Sequence, residues 1–90
     1  MGILSDTKTH RGHKIELGIH SGIPPFSTLA LKIDGEIHSK QKVPSLTGWK
    51  LEFHGVITHG TDKGDKVKVV AESGIFNAPT TFYYNGLEIA

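Results

Sequence analysis

The phrase SGIPPFSTLALKIDGEI at residues 21–37 has a counterpart, SGIFNAPTTFYYNGLEI, at residues 73–89, and this repetition constrains the fold more than any other feature of the chain. Residues 12–37 and 64–89 align without a gap at an offset of 52. Eight of the 26 positions are identical: Gly12/Gly64, Lys14/Lys66, Ser21/Ser73, Gly22/Gly74, Ile23/Ile75, Thr28/Thr80, Glu36/Glu88 and Ile37/Ile89. Chance would give about two. The order of parts repeats as well: an alternating strand, a Ser-Gly-Ile bend, a Pro-containing loop, a second alternating strand, then Asp-Gly or Asn-Gly. One such unit leaves its apolar face uncovered. Two units related by an approximate two-fold axis bury those faces against each other.

Periodicity says what the unit is made of. Ile15, Leu17 and Ile19 alternate with Lys14, Glu16 and Gly18, the period-2 pattern of a half-buried strand. Leu29, Leu31 and Ile33 continue the pattern, as do Trp49, Leu51, Phe53, Gly55 and Ile57, and Val67, Val69 and Ala71. No window carries apolar residues at helical spacing for three turns. Asp34-Gly35 and Asn85-Gly86 supply the positive φ angles that a two-residue hairpin demands. HGTDKGD reads as a longer polar turn, and PSLTG as a bend between strands. The expected fold is all-β: a small antiparallel β-sandwich of about seven or eight strands with an internal pseudo-two-fold repeat. Residues 12–90 form the sandwich, with residues 1–11 as an N-terminal arm.

The strand order HKIELGIHSG, LALKIDGEI, LTGWKLEF, VKVVAESGIF and TTFYYNGLEI resembles the β-sandwich domains of the Fas apoptosis inhibitory molecule family, which are also built from two strand and Asp-Gly hairpin units. The resemblance spans roughly residues 12–89. It implies a compact non-catalytic sandwich acting through protein contacts. The chain departs from that pattern in GVITHGTDKGDK and in the Pro-Pro insertion.

Composition narrows the classes. Ninety residues fit one domain, and a chain this short buries only about 60 % of the surface it exposes when unfolded. Hydrophobic residues at 37 % and charged residues at 21 % are values of a folded chain rather than a disordered one. With no cysteine there is no disulfide framework, thiolate metal site or cysteine nucleophile. Ile3 and Leu4 are too few for a signal-peptide core or a membrane span, so the expected location is the cytoplasm. Gly2 with Ser5 matches the loose myristoylation pattern. A net charge of +1 exerts no strong pull toward nucleic acid or anionic lipid.

Six histidines raise the question of a metal. His10 and His13 have suitable local spacing, but on an extended chain residues three apart point to opposite faces, so they chelate poorly unless the segment bends. His38 and His54 make the better pair: a hairpin symmetric about Leu46 sets them opposite each other on the outer face, about 5 Å apart, with Lys40 opposite Glu52. No third ligand stands at metal spacing. Neither a G-x-S-x-G stretch nor a phosphate-binding glycine loop occurs, and nothing pairs a nucleophile with a base, so the chain does not read as an enzyme and no cofactor is expected. Asp62, Asp65 and Glu72, flanked by Lys63, Lys66 and Lys68, read as a solvated charged surface.

The loops carry the more informative signal. GIPPFS and GIFNAP occupy equivalent places in the two units and put Ile23, Pro25 and Phe26, and Ile75 and Phe76, into segments that lie at the surface. Tyr83 and Tyr84 are adjacent in a strand, so one of them is exposed or half-exposed. The expected function is a non-enzymatic protein-binding or regulatory module whose contacts are Ile23, Pro25, Phe26, Ile75, Phe76 and Tyr83. Its partner is a protein or a second copy of the chain, through these loops or through free sheet edges. The alternative is a small metal- or ligand-binding β-protein, enzymatic or not, centred on His38 and His54.

Overall fold

Alternation becomes two sheets. The computed structural model describes residues 5–23, 26–44, 48–73 and 79–89, and among them every regular element is a strand. In the first sheet β1 (Ser5–His10), β2 (His13–Ile23), β3 (Phe26–Ile33) and β4 (Glu36–Lys42) lie in that order. The second holds β5 (Lys50–Val56), β6 (Lys66–Glu72), β7 (Thr80–Tyr84) and β8 (Leu87–Glu88). All neighbours are antiparallel. The odd-numbered apolar positions of β2 and β3 meet Phe53, Val67, Val69, Ala71, Phe82 and Tyr84 in one buried cluster, with Ile19, Trp49, Leu51 and Ile89 packed around it. The fold is the small β-sandwich that the alternation predicts.

The repeat is legible in the pairing. Ile15 faces Ile33 and Leu17 faces Leu31 in the first sheet, as Val67 faces Tyr84 and Val69 faces Phe82 in the second. Each tight turn is also pinned in the same way. The Lys14 amide donates to Asp34 Oδ1 at 2.9 Å while the Asp34 amide donates to the Lys14 carbonyl at 2.8 Å. At the other turn the Lys66 amide donates to Asn85 Oδ1 at 2.8 Å and the Asn85 amide to the Lys66 carbonyl at 2.7 Å. Asp34 and Asn85 both take positive φ, 51° and 50°, each followed by a glycine with φ of 85°. Short polar side chains tolerate this region and can accept the neighbouring strand's amide, which is why Asp or Asn stands there.

The structure corrects the gapless alignment in one respect. Between Ile19 and Ser21 the β2–β3 register shifts, leaving His20 as an extra residue, whereas β6 pairs with β7 without a break. Equivalence therefore runs at an offset of 52 in β2 and β6 but 51 in β3 and β7, where Leu31 matches Phe82 and Asp34 matches Asn85. The identities Thr28/Thr80, Glu36/Glu88 and Ile37/Ile89 do not mark equivalent places.

Two further expectations change. Residues Ser5–His10, read from sequence as part of an arm, form β1, joined to β2 by a third tight turn at Arg11 and Gly12 with φ of 52° and 80°. Register sets Asp6 and Lys8 opposite Leu17 and Ile15, so this edge strand turns charged side chains inward, a device that discourages pairing with another chain. The hairpin symmetric about Leu46 does not form, since β4 and β5 belong to different sheets. Val43 remains tied to the first sheet, its amide donating to the Ser27 carbonyl at 2.9 Å, while Trp49 accepts from Ser73 in the second. The segment between them is the passage from one sheet to the other.

Candidate functional site

At one end of the molecule the β2–β3 pair finishes in Ser21↔Thr28, Gly22↔Ser27 and Ile23↔Phe26. Uninterrupted alternation would give Ile23 the inward parity of Ile15, Leu17 and Ile19. The bulge at His20 reverses it: a single extra residue moves every later side chain of the strand to the opposite face. Ile23 then shares a side with Phe26, whose even position already points it away from the core. The two are 82 % and 66 % exposed. Gly22 allows the close approach of the strands here. Its φ is +86°, and a Cβ at this position would stand 2.7 Å from the Phe26 carbonyl oxygen and 3.2 Å from the Ser27 Cα. Two large apolar side chains are thus held side by side in water by a bulge and an obligatory glycine.

Of the other residues expected to make contacts, Pro25, Ile75 and Phe76 lie outside the described residues. Tyr83 is half-buried on the outer face of the second sheet, opposite Glu88, with the Lys68 ammonium 4.6 Å above its ring centre. It stands two residues before the Asn85-Gly86 turn, at the end of the sandwich away from Ile23 and Phe26. Structure therefore brings Ile23 and Phe26 together and sets Tyr83 apart.

His38 and His54 occupy unrelated settings. His38 is the extra residue of a second bulge, where β3 pairs Leu31 with Ser39 and then Lys32 with Ile37. Its Nδ1 accepts the Val56 amide at 3.4 Å, and the Gln41 amide group donates to the Glu52 carbonyl, so side chains of β4 stitch it to β5 where no ladder exists. Gly55 permits that approach: a Cβ there would lie 2.8 Å from Ile33 Cδ1 and 3.1 Å from the His38 Cβ. His54 is exposed on the other face of β5, beside Glu52 at 3.5 Å. Among the described residues no group of three or more histidines or carboxylates is arranged to hold a metal ion.

The opposite end of the sandwich carries charge, and the sequence pattern did not separate its members from an ordinary solvated surface. His13, at the start of β2, lies 2.7 Å through Nδ1 from Asp34 Oδ2 and 3.2 Å through Nε2 from Asp62 Oδ2. Asp34 belongs to a turn of the first sheet and Asp62 to the β5–β6 loop of the second. The Asp34 hydrogen bond raises the His13 pKa, against an opposing effect of burial, and Asp62 adds to the rise. Asp34 is lowered in turn, first by His13 and then by the Lys14 amide. Nearby, the Tyr84 hydroxyl donates to Asp65 Oδ2 at 2.8 Å. The His10 ring packs against the Tyr84 ring at 4.6 Å between centres, and the Arg11 guanidinium stands 5.7 Å from it. Burial, then the Asp65 hydrogen bond, push the Tyr84 phenol up to about 12.

The chain matches no protein-family model, no curated protein and no solved structure. Among the described residues no helix is long and apolar enough to cross a membrane.

Proposed function

We propose that this protein is a non-enzymatic binding module that engages a protein partner, a second copy of itself included, through the apolar end of the β2–β3 pair. One observation carries the reading: Ile23 and Phe26 are held outward together, 82 % and 66 % exposed, by a bulge that reverses the parity of β2. Large apolar side chains displayed side by side gain free energy when a partner removes them from water. Presentation on paired strands limits the conformational freedom lost on association. The resemblance to the Fas apoptosis inhibitory molecule domains points the same way, since members of that family act through protein contacts.

The test combines light scattering across a concentration series with recovery of partners on immobilised protein, for the wild type and for the Ile23→Ser/Phe26→Ser double variant. Circular dichroism first establishes that the variant is folded. The wild type should associate, with itself or with a recovered protein, and the variant should lose that association. Association of equal strength in both, or none in either, contradicts the proposal.

A further inference from the structure

The contacts of His13 cross from one sheet to the other. Its imidazole lies between the Asp34 carboxylate in the β3–β4 turn and the Asp62 carboxylate in the β5–β6 loop, and its side chain is only 12 % exposed. An ionised carboxylate can only accept hydrogen bonds. Both contacts are therefore satisfied together only when both ring nitrogens carry hydrogen, in the imidazolium form. A neutral ring has one N–H, and it sets a lone pair against whichever carboxylate it does not serve.

The loop that presents Asp62 is braced internally. The Ile57 amide donates to the Asp65 carbonyl at 2.8 Å, Gly64 to the Ile57 carbonyl at 2.9 Å, and Asp65 to the Asp62 carbonyl at 3.0 Å. It therefore responds to the loss of the His13 contact as a unit.

We propose that His13 is a proton-dependent clasp that fastens the β5–β6 loop, through Asp62, to the first sheet, holding this end of the sandwich closed when protonated and releasing it when neutral. The charged surroundings favour the proton. Asp34 faces the ring from the β3–β4 turn and Asp62 from the β5–β6 loop, with Asp65 of that same loop beyond. Arg11, in the β1–β2 turn, acts on Asp65 and on Tyr84 of β7, and His59 of the β5–β6 loop acts on Asp34. His10 at the end of β1 is occupied with Tyr84. The Lys14 side chain, next along β2, lies 3.9 Å from Glu16. The two carboxylates in direct contact with the ring set the balance.

The experiment follows the histidine ring signals by NMR through a pH titration of the intact protein, alongside amide exchange at Ile57, Gly64 and Asp65, normalised to intrinsic exchange rates. Wild type is compared with Asp62→Asn and His13→Gln. The expected result is a His13 midpoint that shifts downward in Asp62→Asn, and loop protection that falls as pH rises through that midpoint. His13→Gln should lose this dependence. An unshifted midpoint in Asp62→Asn, or loop protection indifferent to pH across the titration, overturns the proposal. Asp62 lies on a surface loop outside the core, so its variant keeps the test decisive even if His13→Gln fails to fold.

Discussion

At the scale of single residues, two glycines make different demands on the backbone. Gly22 combines a positive φ with a carbonyl oxygen where a Cβ would have to go, so neither strain nor crowding can relax without parting Ile23 from Phe26. Gly22→Ala should cost about 2 kcal/mol in urea unfolding, and the cross-strand contact of Ile23 with Phe26 should weaken. Gly35 shares the positive φ but has nothing within 4 Å of a built Cβ, so Gly35→Ala should cost about 1 kcal/mol, from strain alone. Equal costs for both would mean that the close approach at Gly22 does not matter. Tyr84 makes a third residue-scale case. Its phenol, ordinarily ionising near 10, is raised to about 12 by burial and by Asp65. A raised acid favours the fold while protonated, so this contribution is complete below 10 and is lost between 10 and about 12. Tyr84→Phe should remove that part of the alkaline stability loss, read by unfolding at pH 9 and 11.

At the scale of elements, the bulge at His20 decides which face the end of β2 presents. Deleting His20 restores uninterrupted alternation and should turn Ile23 inward, reducing the binding of a hydrophobic dye to the folded protein. Unchanged dye binding in a folded deletion variant would count against the reversal of parity. The bulge also marks where sequence reading loses its grip. Alternation at Ile15, Leu17, Ile19, Leu29, Leu31 and Ile33 was plain because each apolar side chain has a polar neighbour on either side or a small one. The Asp34-Gly35 and Asn85-Gly86 turns were plain because few residues take their φ angles. A one-residue bulge changes no composition and has no residue signature, so the slip from 52 to 51 is visible only in the pairing. β1 was missed for a related reason: Arg11 is an unusual residue at positive φ, and the inward Asp6 and Lys8 of an edge strand erase the alternation. The Asp34–His13–Asp62 group was missed because its members are far apart in sequence and join only when the two sheets stack.

At the scale of the whole molecule, stability against pH follows from the groups that bridge the sheets. His13 has a raised pKa, so its contribution is full below its ordinary value of 6.5 and fades as pH rises through its folded value. Asp34 is lowered, so its contribution is full above 3.8 and fades as pH falls through its folded value. Together they predict a plateau between 3.8 and 6.5 for the part of the stability that the pair supplies. The difference in unfolding midpoint between wild type and His13→Gln should be largest on that plateau and shrink on both sides. A difference independent of pH would place His13 among ordinary surface residues.

One unit is folded twice, with its two apolar faces closed on each other and a single bulge turning Ile23 out of the first. A nuclear Overhauser map of the protein with labelled methyl and aromatic groups tests this most directly. It should show Ile15, Leu17 and Leu31 of the first sheet in contact with the rings of Phe53 and Phe82 of the second, and Ile23 in contact with Phe26 but with no member of that cluster. Ile23 methyls inside the cluster, or two sheets with no contacts between their inner faces, would contradict it.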